Sequence, residues 1–118
     1  MRISPLLFID RRQEGLRTWI IAAGALDLDS APVLADAFAR ELKGRGTADL
    51  HVDLSGVAFC DCVGLSALLT AAHDTRAAGR AFQAHSPVPA VLRLFGLTGT
   101  TDILLSRSLA PREAAAAG

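Results

Sequence analysis

Cys60, Asp61 and Cys62 place two thiols and a carboxylate in three consecutive residues, and these are the chain's only cysteines. Thiols separated by one residue cannot staple distant parts of a secreted scaffold, so the pair points to a reducing compartment. Beside a helix N-terminus, Cys62 would have a lowered thiol pKa and could serve with Cys60 as a redox sensor, whereas Asp61 disfavours a neighbouring thiolate. Cys60, a readily buried residue type, reads as core filling. A metal site would need further ligands, and His51, His73 and His85 show none of the close Cys/His spacings of zinc sites. No metal and no cofactor are expected.

Asp53 and Asp61 do not make an acid/base pair, because no nucleophile or partnered histidine stands at a spacing that defines an active site. The chain is not expected to be an enzyme, and Asp61 reads as a capping residue. Ser55, Ser66 and Thr70 bring hydroxyls to the same stretch, where capping and surface roles account for them. Gly44-Arg45-Gly46 and Gly96-Leu97-Thr98-Gly99 match neither a P-loop nor a dinucleotide fingerprint, and read as a turn and a helix cap.

The elements that must position these residues follow from periodicity. Leu6 to Ile9 predicts a short first strand, and Thr18 to Ala23 a second that forms an antiparallel hairpin with it. Asp27 to Ser30 offers N-caps for a helix carrying Leu34, Phe38 and Leu42, with Lys43-Gly44 as its stop. Leu50, Val52 and Leu54 alternate with His51 and Asp53, the pattern of a central strand. After a loop from Ser55 to Val63, Leu65, Leu68, Leu69 and Ala72 form a helical stripe that ends before Gly79. Its other face carries Ser66, Thr70, His73 and Ala77. Arg80 to His85 reads as a strand, and Ser86-Pro87 opens a third helix with Val88, Val91, Leu92 and Phe95, closed by Gly96. Ile103 to Leu105 reads as a last edge strand, and Pro111 as the start of a short terminal helix. Strands alternating with helices after a hairpin predict an α/β domain: a mixed sheet with a parallel centre, flanked by about four helices.

Composition narrows the function. A chain of 118 residues, 51% hydrophobic and 20% charged, buries a core as one domain. Twelve basic and twelve acidic side chains cancel, so no net field draws it to phosphate backbones or anionic lipid. Five Phe, one Trp and no Tyr leave few platforms for stacking bases. The apolar run Leu6–Ile9 is too short for a signal sequence or a membrane span. These readings exclude nucleic acid and membrane insertion, and place the protein in the cytoplasm.

Gly24-Ala25-Leu26-Asp27, then Val52-Asp53-Leu54-Ser55-Gly56-Val57-Ala58-Phe59, then Asp61 and Gly64-Leu65-Ser66-Ala67-Leu68-Leu69 stand in a particular order and spacing. Arg76-Ala77-Ala78-Gly79 and Leu94-Phe95-Gly96-Leu97-Thr98-Gly99 continue it. In these segments the chain resembles a STAS domain of the anti-sigma factor antagonist type, over nearly its whole length. The resemblance implies one STAS domain over residues 1–118, with 108–118 as a short terminal helix or frayed tail.

It further implies a protein that binds an anti-sigma factor, usually a kinase of the histidine-kinase-like ATPase fold, and so frees a sigma factor. Binding would use Phe59, Asp61, Cys62, Val63 and Gly64, completed by Ser66, Thr70 and the edge from Gly24 to Asp27. In the family, the hydroxyl directly after the Asp of Asp-Ser-Ser-Gly or Asp-Ser-Thr-Gly is phosphorylated. Here that tetrad is Asp61-Cys62-Val63-Gly64. A thiol is not an equivalent substrate and Val63 has no hydroxyl, so no phosphorylation is expected there, and Ser66 is the substitute acceptor to test first. A homodimer is compatible with this reading. Two alternatives stand beside it: a thiol redox sensor using Cys60 and Cys62, and a STAS docking module in a transport-associated or sensory assembly.

Overall fold

The computed structural model describes residues 7–44 and 46–106. The expected tail at 108–118 and the turn residue Arg45 lie outside them.

Strands β1 (Leu7–Glu14) and β2 (Arg17–Leu26) pair antiparallel from Leu7 opposite Gly24 to Glu14 opposite Arg17. Gly15, at φ 61°, supplies the left-handed backbone of the tight turn between them. β1 is longer than the apolar run Leu6–Ile9 predicts, because Asp10 to Glu14 stay on the ladder as the charged half of an edge strand. Arg11 from this half reaches across to an ion pair with Glu41 of helix α1 (Ala31–Lys43).

β3 (Asp49–Cys60) runs parallel to β2 and β4 (Phe82–His85) parallel to β3, giving the order β1-β2-β3-β4. The sheet is therefore mixed with a parallel centre, and four helices accompany it among the described residues: α1, α2 (Cys62–Ala77), α3 (Pro89–Thr98) and α4 (Thr101–Leu105). Leu50, Val52 and Leu54 point to one face and are fully buried with Ile20, Ala22, Phe82 and Ala84. That face packs on Leu34 and Phe38 of α1, Leu68 and Ala72 of α2, and Val91 and Phe95 of α3 in a single core. Period-two alternation on the strands and near-four spacing on the helices are what allow both surfaces to be apolar at once.

Other segments also differ from the sequence-based expectation. Ser55 to Cys60 is strand, not loop: β4 pairs β3 only over Leu50–Asp53, but β2 continues to pair up to Leu26 opposite Cys60, across two register shifts. At the first shift Gly56 lets the strands close up, since a Cβ there would meet the Ala23 Cβ at 2.9 Å. α3 begins at Pro89 and runs past Gly96 to Thr98, where Gly99 at φ 72° closes it. Ile103 to Leu105 is helical rather than an edge strand. The left-handed Gly99 turns the chain back, Leu104 donates its N–H to the Thr100 carbonyl at 3.1 Å, and Leu104 is fully buried in the common core. A short apolar run alone does not distinguish the two states.

Candidate partner-binding site at the start of helix α2

The site grows from the point where β3 ends. Asp61 has extended backbone and its carboxylate accepts the Gly64 N–H at 2.8 Å, while its carbonyl accepts the Leu65 N–H at 2.8 Å. It is thus the N-cap of α2, as its residue type suggested. Its own N–H donates to the Leu26 carbonyl at 3.1 Å, which ties the ends of β2 and β3 together. The first turn of α2 lies directly on that carbonyl: a Cβ on Gly64 would stand 2.4 Å from it and 2.7 Å from the Leu26 Cγ. Packing therefore demands glycine three residues after the cap.

Immediately after Leu26, Asp27 organises the start of α1. Its carboxylate accepts the N–H groups of Asp29 and Ser30, each at 3.1 Å, and its carbonyl accepts that of Ala31 at 2.7 Å. The Ser30 hydroxyl turns back to the Ala25 carbonyl at 2.6 Å. Both carboxylates of the expected site are thereby engaged with backbone N–H groups at helix starts, where the helix dipole favours negative charge.

What faces outward is apolar and small. Phe59 is 53% exposed and Val63 41% exposed, on either side of the half-buried Asp61. Cys62, Ser66 and Thr70 are exposed at steps of four along α2, one stripe leading away from the helix start. Gly64 is buried beneath it, and Asp27 joins the group through Leu26. Leu28, 67% exposed between Asp27 and Asp29, belongs to the same end of the sheet and was not singled out from sequence. An apolar residue between two turn-forming aspartates was the available signal.

The two thiols differ. Cys60 is half-buried and its thiol is pushed up to about 12, by burial first and then by the charges of Asp61 and Cys62. Its Sγ lies 3.5 Å from the Asp61 carbonyl, a weak donor contact. Such a thiol is a poor nucleophile near neutral pH. Among the described residues no cluster of three or more His, Cys, Asp or Glu is arranged to hold a metal ion, and no helix is long and apolar enough to cross a membrane.

Comparisons with known proteins agree with this architecture. No curated protein matches the chain in sequence. Among solved structures, an anti-sigma factor antagonist from Mycobacterium paratuberculosis superposes with a TM-score of 0.75 at 24% identity, covering 95% of this chain and 93% of that one. The anti-sigma factor antagonist SpoIIAA in its unphosphorylated form gives 0.68 at 17% identity, over 92% of this chain and 93% of that one. The Bacillus cell fate determinant SpoIIAA in its phosphorylated form gives 0.63 at 18% identity, over 93% and 98%. At these identities the likeness establishes a shared fold. The family model described as "Mlab, STAS domain" matches residues 9–106, from β1 to the end of α4, and on that match the chain belongs to the STAS domain family.

Proposed function

We propose that this protein is an anti-sigma factor antagonist-like regulator, which binds an anti-sigma factor of the histidine-kinase-like ATPase fold and so releases a sigma factor. The contact surface is the start of α2 and its exposed stripe: Phe59, Asp61, Cys62, Val63, Gly64, Ser66 and Thr70, with Asp27 at the adjoining turn. The observation that carries the reading is the exposure of Phe59 and Val63 on a helix start held rigid by the Asp61 cap and the Gly64–Leu26 contact. Apolar anchors on a preorganised scaffold are how protein interfaces concentrate their affinity. The chain does no chemistry of its own in this scheme, and any nucleotide belongs to the partner.

Control would not run through the usual phosphate. Cys62 occupies the acceptor position and Val63 follows it, so the antagonist would bind without being switched off by its partner kinase. Titration of the purified protein against the anti-sigma factors of its own cell tests the reading: one of them should form a complex that Val63→Asp weakens at least tenfold. Absence of a complex with every one of them would sink it.

The family model's description names Mlab and no sigma regulator. A second reading keeps the fold and changes the client: the same surface docks the domain into a larger transport-associated or sensory assembly.

A further inference from the structure

The sheet face turned away from α1 and α2 carries a cluster that the proposed interface does not use. Register aligns Trp19 with His51, and Asp53 with both Ile21 and His85, which places these side chains on one face of β2, β3 and β4. The chain's single tryptophan stacks on His51, with ring centroids 4.9 Å apart and 27° between planes, and lies 4.6 Å from His85. His51 Nδ1 and His85 Nε2 are 2.8 Å apart. His51 is buried and His85 partly so.

An N···N contact of that length is a hydrogen bond, and it lasts only while one facing nitrogen keeps its lone pair. Two neutral rings hold two protons, one of them in the bond. A third fills the remaining outer nitrogen, His51 Nε2 or His85 Nδ1 depending on tautomer, and leaves an imidazolium donating to an imidazole. A fourth has to occupy the accepting lone pair, which leaves two N–H groups pointed at each other and two positive rings against one indole. Charged groups of both signs face the pair. Asp53 on β3 favours the charged form of His85 and Arg17 on β2 opposes it, while Arg12 and Glu14 on β1 line the cleft of about 250 Å³ with Trp19, Ile21 and Asp53. On the α4 side Gln83 donates to the Leu105 carbonyl, an uncharged contact.

His85 is also the last residue of β4, and the next residue, Ser86, is held at φ 57°, a left-handed conformation that is unfavourable for a residue with a Cβ. Beyond it Val88 is the N-cap residue of α3. The geometry points to a pH-operated latch: on acidification the fourth proton breaks the His51–His85 bond, opens the Trp19 cluster and releases the β4–α3 connection at Ser86. Burial holds His85 below its ordinary value, so the latch's contribution to stability is complete above about pH 6.5 and is lost as pH falls through the folded-state value.

Trp19 is its own reporter, because an imidazolium quenches a stacked indole. Tryptophan emission of the full chain, followed from pH 8 to pH 4, should change in two steps, the first as one ring becomes an imidazolium against the indole and the second, with a midpoint below 6.5, as the fourth proton opens the cluster, while far-UV circular dichroism is retained. In His85→Gln the amide can pair with His51 in either state, and the second step should disappear. Imidazole carbon NMR of the wild type decides the matter even if that variant does not fold. Linked two-step titration of His51 and His85 supports the latch; independent single-proton titrations near 6.5, or an unchanged emission profile in folded His85→Gln, overturn it.

Discussion

Gly64 sits with its α-carbon so close to the Leu26 carbonyl that a Cβ would stand 2.4 Å from the oxygen. The start of α2 and the end of β2 are thus one rigid unit, joined again by the Asp61 N–H to the same carbonyl. Gly64→Ala has to push backbone apart, and overpacking of this kind costs about 3 kcal/mol. Thermal unfolding of the variant should show a midpoint lower by on the order of 10 °C.

Asp61→Ala removes the cap and leaves the Gly64 N–H without its acceptor. The expected loss is about 1 kcal/mol in a denaturant titration, with Asp61→Asn or Asp61→Ser recovering most of it. Equal stability of the alanine variant would show that the cap does not hold the helix start.

Phe59→Ser and Val63→Asp change exposed side chains, so each should leave the melting midpoint within about 2 °C of the wild type. Both should weaken the proposed complex with an anti-sigma factor by about 2 kcal/mol or more, as central anchors do. A variant at His73, also exposed but at the far end of α2, should bind as the wild type does.

Intact mass after incubation with the proposed partner kinase and ATP should show no added phosphate on the wild type. Cys62→Ser restores a hydroxyl directly after Asp61 on an exposed first turn, and that variant should gain one phosphate per chain. A phosphate on the wild type at Ser66 would place the switch one turn along the helix instead.

Thiol alkylation followed by mass spectrometry should label exposed Cys62 first. Cys60, half-buried and pushed up to about 12, should resist labelling until the chain unfolds. Equal rates at both thiols would favour a redox role for the pair.

Much of the site is legible in the residue pattern. Asp61 followed at the third residue by Gly64 reads as a cap and the start of a helix, and the exposed stripe of Ser66 and Thr70 follows from helical spacing. What the pattern does not carry is why the third residue is glycine, since its neighbour Leu26 belongs to another strand. Leu28 escapes the pattern for a related reason: an apolar side chain in a turn is exposed or buried according to what the rest of the fold brings over it.

The sequence by itself determined the faces. Leu50, Val52 and Leu54 against His51 and Asp53, and the stripe from Leu65 to Ala72, are set by the geometry of neighbouring residues on one element. Tertiary structure alone decided that Ser55 to Cys60 stays a strand by pairing with β2, that Ile103 to Leu105 coils to bring Leu104 into the core, and that His51 meets His85 beneath Trp19. Those outcomes depend on strand register and on how the chain crosses back. Periodicity within a segment leaves both unspecified, whereas burial of a common core selects them.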